Sequence, residues 1–351
     1  MANSQPVFFS KTRIYLVLGL CLGISGYFIW SEIGKTNFSV SNLTWNFNTF
    51  LFLFIALVAM AGRDAFYIIR LKVLAAKELS WNQCIRSIFM WEFASAISPG
   101  VVGGSAVAMF ILKREGIPLG KSTALVIITA IMDNFFYIIL LPILFLFIPL
   151  KSLFPESNSW VVEGGKFIFW TGYSIVGAIN LLLMTSVFFY PKLVGIILAF
   201  IHKLPFLRKR KEKAAKFSHD IVLASKEIKK HPLKFWLKIF IITCAAWISR
   251  YLVINFMLLA FVELNLLDHL YVLGRQMVMW MVMLVTPTPG GSGAAEYLFS
   301  DFLADFTKGG ALASGLAILW RILSYYPYLL IGTILTPRWL AITQKQKKEN
   351  N

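Results

Sequence analysis

Apolar runs long enough to cross a lipid bilayer recur along almost the whole of this chain, and they leave no stretch in which a water-soluble catalytic domain could be built. A hydrocarbon core about 30 Å thick takes about 20 helical residues to cross. Runs of that kind lie near residues 14–30, 49–69, 120–148, 167–190, 236–262 and 311–336. Of the 351 residues, 58% are hydrophobic and only 15% charged, and the mean hydropathy of +0.70 lies outside the soluble range. Lipid offers no hydrogen bonds to the backbone, so spans of this length are helices. The expected fold is therefore all-α, a polytopic transmembrane helical bundle forming a single integral domain over residues 1–351. The run at 14–30 follows Lys11 and Arg13 and has no small-x-small cleavage site before Ser31, so it is expected to be an uncleaved first span. Cys21, Cys84 and Cys244 are scattered, with no ligand or redox spacing.

Two further apolar segments are interrupted. Residues 84–112 carry ISPGVVGGSA at their middle, and residues 270–306 carry LVTPTPGGSGAAEYLF. Proline removes an amide donor and clashes with the preceding turn, while clustered glycines loosen the backbone, so an unbroken helix is not expected in either. Each is read as two short helices meeting at a break. The two breaks are alike: Ser98-Pro99-Gly100 with Gly103 aligns without gaps onto Thr288-Pro289-Gly290 with Gly293. The simpler alternative is a pair of ordinary proline kinks, which membrane helices tolerate.

Flanking charge orients the segments. Arg70, Lys72, Lys77 and Arg86 precede the first interrupted segment, and Lys113, Arg114 and Lys121 follow it. Basic flanks mark the cytoplasmic side, so both ends of this segment are expected inside. Glu263, Asp268, Asp301 and Asp305 around the second place both of its ends outside. With both termini cytoplasmic, the expectation is six full spans plus two re-entrant helical hairpins entering from opposite faces, with an eight-span count if each hairpin crosses completely. Inverted repeats that carry broken helices are a transporter construction, with the substrate held at unwound midplane backbone.

The formal net charge of +17 is concentrated: 13 Lys or Arg stand against 3 Asp or Glu between Pro191 and Lys238. Within residues 191–235, Phe217, Ile221, Ala224 and Ile228 recur at helical spacing against a basic face. This predicts an amphipathic segment on the cytoplasmic surface, attracted to anionic lipid headgroups by about 1 kcal/mol per cation. An orientation-fixing basic loop is the plainer reading of the same residues. Either way the partner implied is membrane lipid, with no nucleic acid. Gly19-x-x-x-Gly23 permits close helix packing, and oligomerisation is left open.

Ionisable residues at membrane depth are costly and face an interior or a wet cavity. Arg63, Asp64, Glu92, Asp133, Arg250, Arg275, Glu296 and Arg321 are of this kind. Each could bind substrate or lock helices together by pairing. Glu296, on the first turn after the second break, sits where a helix dipole stabilises a carboxylate. The candidate substrate-binding set is Glu92, Ser98, Pro99, Gly100, Gly103, Gly104, Asp133, Arg275, Thr288, Pro289, Gly290, Gly291, Gly293, Glu296 and Arg321. Free amides at the half-helix starts, Arg275 and the carboxylates together would suit a headgroup bearing phosphate and amine. No cofactor or metal is expected. GIPLGKS (116–122) lacks the first glycine of a phosphate-binding loop, having Glu115 there, and the four histidines form no ligand cluster.

The segments SPGVVGGSAVAMFILKREG (98–116) and TPTPGGSGAAE (286–296), with Asp133 between them, resemble the flippase-like transmembrane family associated with lysylphosphatidylglycerol synthases. The resemblance implies a bacterial or archaeal inner-membrane protein that moves charged lipids between leaflets. The first motif departs from the family pattern, with Ser105 and Ala108 where Glu and Arg often stand, which leaves the headgroup preference open. The chain ends fifteen residues after Thr336, so no soluble aminoacyl-transferase domain is expected. The leading functional reading is a lipid flippase using a midplane cavity. The alternative is a membrane-embedded transferase using Glu92, Asp133 or Glu296 as a general base, and a lipid-binding scaffold is a third reading.

Overall fold

The computed structural model describes residues 45–98, 100–154, 160–190, 229–284, 286, 288–307 and 310–349, with isolated positions within 16–31 and residues 222 and 223. The expected first span at 14–30 and most of the basic segment at 191–235 lie outside the described residues. The described elements are helical. Helix α1 (Phe47–Ala75) begins at Asn46, whose side-chain oxygen accepts the Thr49 amide at 2.9 Å, so one of the donors that a helix start leaves free is satisfied. Helix α2 (Trp81–Ile97) is capped by Ser80 and stops at Ser98, which is extended (ψ 139°). A residue before proline is pushed out of the helical region, so Pro99 sets this end. Helices α3 (Gly100–Arg114), α4 (Leu119–Phe147), α5 (Trp160–Met184) and α6 (Leu233–Leu259) follow, and a π-helical turn at Thr185–Phe189 closes α5. Beyond them come α7 (Leu266–Met283), α8 (Ala294–Leu303), α9 (Gly310–Ser324) and α10 (Tyr326–Glu349).

Five helical stretches among the described residues are long and apolar enough to cross a membrane: Phe47–Ala75, Leu119–Phe147, Gly164–Phe189, Leu233–Leu259 and Leu312–Thr343. These coincide with the predicted spans from 49–69 onward. The most apolar stretch of α1 is only 28% buried within the protein, and that of α5 only 22%. Phe47, Phe54, Phe147, Phe167 and Leu181 stand exposed on the outside. Facing water, a surface this apolar would drive association; facing lipid tails it is matched to its solvent.

Both interrupted segments fold back as helical hairpins. At the open end of the first, Arg86 Nη2 lies 2.8 Å from Glu115 Oε2 and Gln83 Nε2 donates to the Glu115 carbonyl at 3.0 Å. Near its bend the helices touch so closely that a Cβ at Gly104 would collide with Ser95. At the open end of the second, Arg275 Nη1 donates to the Phe302 carbonyl at 2.7 Å and pairs with Asp305 at 2.6 Å. The hairpins open at opposite ends of α4. Lys121, at its start, pairs with Glu78 beside the first hairpin, whereas Ser152, just past its end, accepts Arg275 Nε at 3.1 Å.

One expectation is refined and one corrected. The span expected at 311–336 is present, but it turns at Tyr325, between α9 and α10, where Pro327 lacks the amide donor an unbroken helix needs. Arg70, counted above among the cytoplasmic flanks, is buried (6% exposed) inside α1 and ion-paired.

Cysteines introduced at Gln83 and Glu115 in a background without native cysteines are expected to be joined by a short bifunctional thiol reagent, read as a cross-linked peptide by mass spectrometry. A kinked but crossing segment would hold these ends about 30 Å apart and give no such peptide.

Candidate functional site between the hairpin bends

A cavity of about 320 Å³ lies between the two bends. Ser95 and Ser98 line it from the first, and Thr286, Thr288, Gly290 and Gly291 from the second. Tyr67 and Arg70 of α1, Thr129, Asp133 and Asn134 of α4, and Trp247 and Arg250 of α6 also line it, together with Glu92 of α2, Ser105 of α3 and Trp280 of α7.

The second bend is built from positive-φ glycines, Gly290 (+57°), Gly291 (+67°) and Gly293 (+84°), a conformation that residues with a Cβ rarely adopt. Its groups are held from behind. Arg321 Nη1 donates to the Gly290 carbonyl at 3.1 Å and Nη2 to Ser292 Oγ at 3.2 Å. Glu296 accepts the Gly293 amide at 2.8 Å, and its Oε1 lies 3.1 Å from Arg321 Nε, an ion pair with both partners buried. Tyr325, at the interruption between α9 and α10, reaches both bends. Its hydroxyl donates to the Ala96 carbonyl at 3.0 Å in the last turn of α2, and its ring fills the space a Cβ on Gly290 would need. The Arg321 guanidinium lies 3.5 Å above the Tyr325 ring. The three interruptions therefore meet at one side chain.

Charge around the cavity is arranged in pairs. Arg63 contacts the Glu92 carboxylate, lies 3.2 Å from Asp64 Oδ1 and donates to Tyr328 Oη at 2.9 Å, and Tyr328 in turn donates to Asp64 at 2.6 Å. Arg70 grips Asp133 with two nitrogens, at 2.5 and 3.3 Å, while Trp247 Nε1 donates to the same carboxylate at 2.9 Å. Tyr67 stands between the two guanidinium groups, 5.0 Å from that of Arg63 and 4.9 Å from that of Arg70. The spacing 63, 67, 70 puts these three on one helix face. Arg250 is different: its guanidinium lies 5.5 Å over the Trp247 ring, and it makes no ion pair among the described residues.

The candidate residues thus divide by place. Glu92, Ser98, Asp133, Thr288, Gly290 and Gly291 line the cavity. Gly293, Glu296 and Arg321 shape the second bend, Pro289 contributes its carbonyl to Ser292 Oγ at 2.9 Å, and Gly104 sits in the α2–α3 contact. Gly100 opens α3 and Gly103 lies within it, while Pro99 falls outside the described residues. Arg275 lies elsewhere: it ties the open end of the second hairpin to Ser152 and Asp305 and does not line the cavity. Residues not singled out as site residues, Tyr67, Arg70, Trp247, Arg250 and Tyr325, are brought to it. Arg63 and Arg70, three to four residues from Tyr67, were the readable signal.

Residues 16–332 match the family model described as the lysylphosphatidylglycerol synthase TM region. The chain belongs to this family. A protein described as a UPF0104 membrane protein, from Archaeoglobus fulgidus, is 22% identical over 319 residues, covering 85% of this chain and 90% of its own length. No solved structure matches. Family membership and the apolar helices together make this a multi-pass membrane protein, and the matched region contains both bends and every charged residue of the cavity.

Breaking a buried ion pair leaves one charge uncompensated, at a cost of about 3–5 kcal/mol, whereas removing both partners costs far less. Asp133→Asn is therefore expected to lower the melting temperature in detergent sharply, with Arg70→Gln in the same chain recovering part of the loss. Additive losses in the double-mutant cycle would rule out the pairing. Gly290→Ala, which adds positive-φ strain to a clash with Tyr325, is expected to destabilise more than Gly165→Ala, where a Cβ meets nothing; equal effects on thermal melting would contradict the packing.

Proposed function

We propose that this family member is a lipid flippase that carries the charged headgroup of a phospholipid or lipid-linked molecule between leaflets through the cavity between its bends, while the acyl chains stay in lipid. The observation that carries the reading is one cavity, lined by charged and hydroxyl side chains among apolar ones and bounded by the tips of two hairpins that open at opposite ends of α4. On this reading each hairpin is re-entrant from its own face of the membrane, and small movements of either tip would expose the cavity to one side at a time. A transferase would need a carboxylate free to act as base. Glu92, Asp133 and Glu296 are each engaged by an arginine, which supports transport over that alternative. On the same reading the protein lies in the cell membrane with both termini cytoplasmic, and the basic segment at 191–235 meets anionic headgroups there.

In proteoliposomes carrying a fluorescent phospholipid, purified protein is expected to make inner-leaflet label reachable by a membrane-impermeant quencher. Ser105→Trp, placed on the cavity wall, should return the rate to that of protein-free vesicles without lowering the melting temperature. A wild-type rate equal to empty vesicles, or conversion of labelled lipid into a new product in detergent, would refute the reading.

A further inference from the structure

The pairing inside the cavity leaves a one-sided set of groups for a ligand. Both carboxylates that line it are committed, Glu92 to Arg63 and Asp133 to Arg70 and the Trp247 indole. Arg70 is likewise spent on Asp133 and Thr243. Arg250 faces the same cavity with no ion pair among the described residues, its guanidinium resting over the Trp247 ring. Trp247 is itself fixed by its bond to Asp133, so the ion pair below holds the platform on which Arg250 lies. A cation–π contact of this kind uses none of the guanidinium N–H groups, and their planar fork matches two phosphate oxygens. The remaining polar lining is mostly hydroxyl, with the Asn134 carboxamide beside it. The hydroxyls of Ser95, Ser98 and Thr286 make no hydrogen bond among the described residues, and Thr288 Oγ1 is buried without a partner there. Leaving a buried hydroxyl unpaired is unfavourable, and a ligand with hydroxyls or phosphate oxygens removes that penalty.

We infer that Arg250, lying over Trp247, together with the bend hydroxyls Ser95, Ser98, Thr286 and Thr288, forms a site for the phosphodiester of an anionic, hydroxyl-bearing headgroup. A cationic headgroup would meet the Arg250 guanidinium and find both lining carboxylates already ion-paired. The inference rests on the transport reading for its choice of a lipid; the same chemistry also fits a water-soluble glycerol phosphate ester.

The test is equilibrium binding to the purified protein in detergent, where no leaflets exist, so that it stands apart from flipping. Fluorescent short-chain lipids with phosphoglycerol, phosphocholine and aminoacylated phosphoglycerol headgroups are compared, with glycerol 3-phosphate and inorganic phosphate as soluble competitors. The phosphoglycerol lipid is expected to bind tightest. Arg250→Ala should weaken it about 10- to 100-fold, the usual range for losing a charge-assisted hydrogen bond. Arg250→Lys, which keeps charge but loses the fork, should fall between; melting temperatures verify that both variants fold. Displacement by glycerol 3-phosphate at comparable concentration would keep the anion site and assign it to soluble esters, whereas no displacement assigns it to lipid. Tighter binding of the cationic or choline lipid, or undiminished binding by both Arg250 variants, would overturn the inference. Selective, Arg250-dependent binding without flipping in vesicles would sustain this site and defeat only the transport reading.

Discussion

Backbone amides and carbonyls have no solvent inside a bilayer, and the architecture follows from how three helix interruptions satisfy that constraint. Each interruption frees groups that an intact helix would pair: the Ala96 carbonyl before Pro99, the Gly290 carbonyl and Gly293 amide in the second bend, and the chain around Tyr325. Their partners are one another's side chains. Tyr325 supplies a donor to Ala96, Arg321 one to Gly290, and Glu296 an acceptor to Gly293. Broken helices at membrane depth are tolerated when protein or a wet cavity surrounds them, and here the breaks converge, so each supports the others and together they border the cavity.

Charge obeys a similar logic around α1. A guanidinium buried without a counterion would cost several kcal/mol, and Arg63 and Arg70 avoid this by taking carboxylates from α2 and α4. The pairs thereby pin the first hairpin and α4 to the same helix, with Tyr328 fastening α10 through Asp64. What the pairs leave over is Arg250 and a ring of hydroxyls, which is why the ligand chemistry follows from structural bookkeeping as much as from the cavity's shape.

The interruptions at Pro99 and at Pro287–Gly293 were legible because proline and glycine act locally: a short window of sequence contains the whole cause. The apolar runs were legible for the same reason. Pairing was not, because the partners of Arg70 and Arg321 lie on other helices and no local pattern distinguishes Asp133 or Glu296 from any other carboxylate that could meet an arginine. Arg275 shows the consequence: its chemistry suits an anion, while its position on α7 brings it to Asp305 at the open end of the hairpin. Tyr325 escaped notice because YYPY lies within a run of adequate hydropathy, where Pro327 reads as a tolerated residue near the start of a turn. Arg70 reads as a flank because the apolar run stops at 69, six residues short of the end of α1.

The central claim is that the two bends face a common hydrated space. Ser98→Cys and Thr288→Cys, made singly in a background without native cysteines, test it by reaction with a small membrane-impermeant thiol reagent applied to each side of sealed vesicles. The account predicts that both positions react, each from at least one aqueous side, and that occluding the cavity with Ser105→Trp slows both. Labelling of neither position until the membrane is dissolved would place the bends in lipid or dry protein and contradict the account.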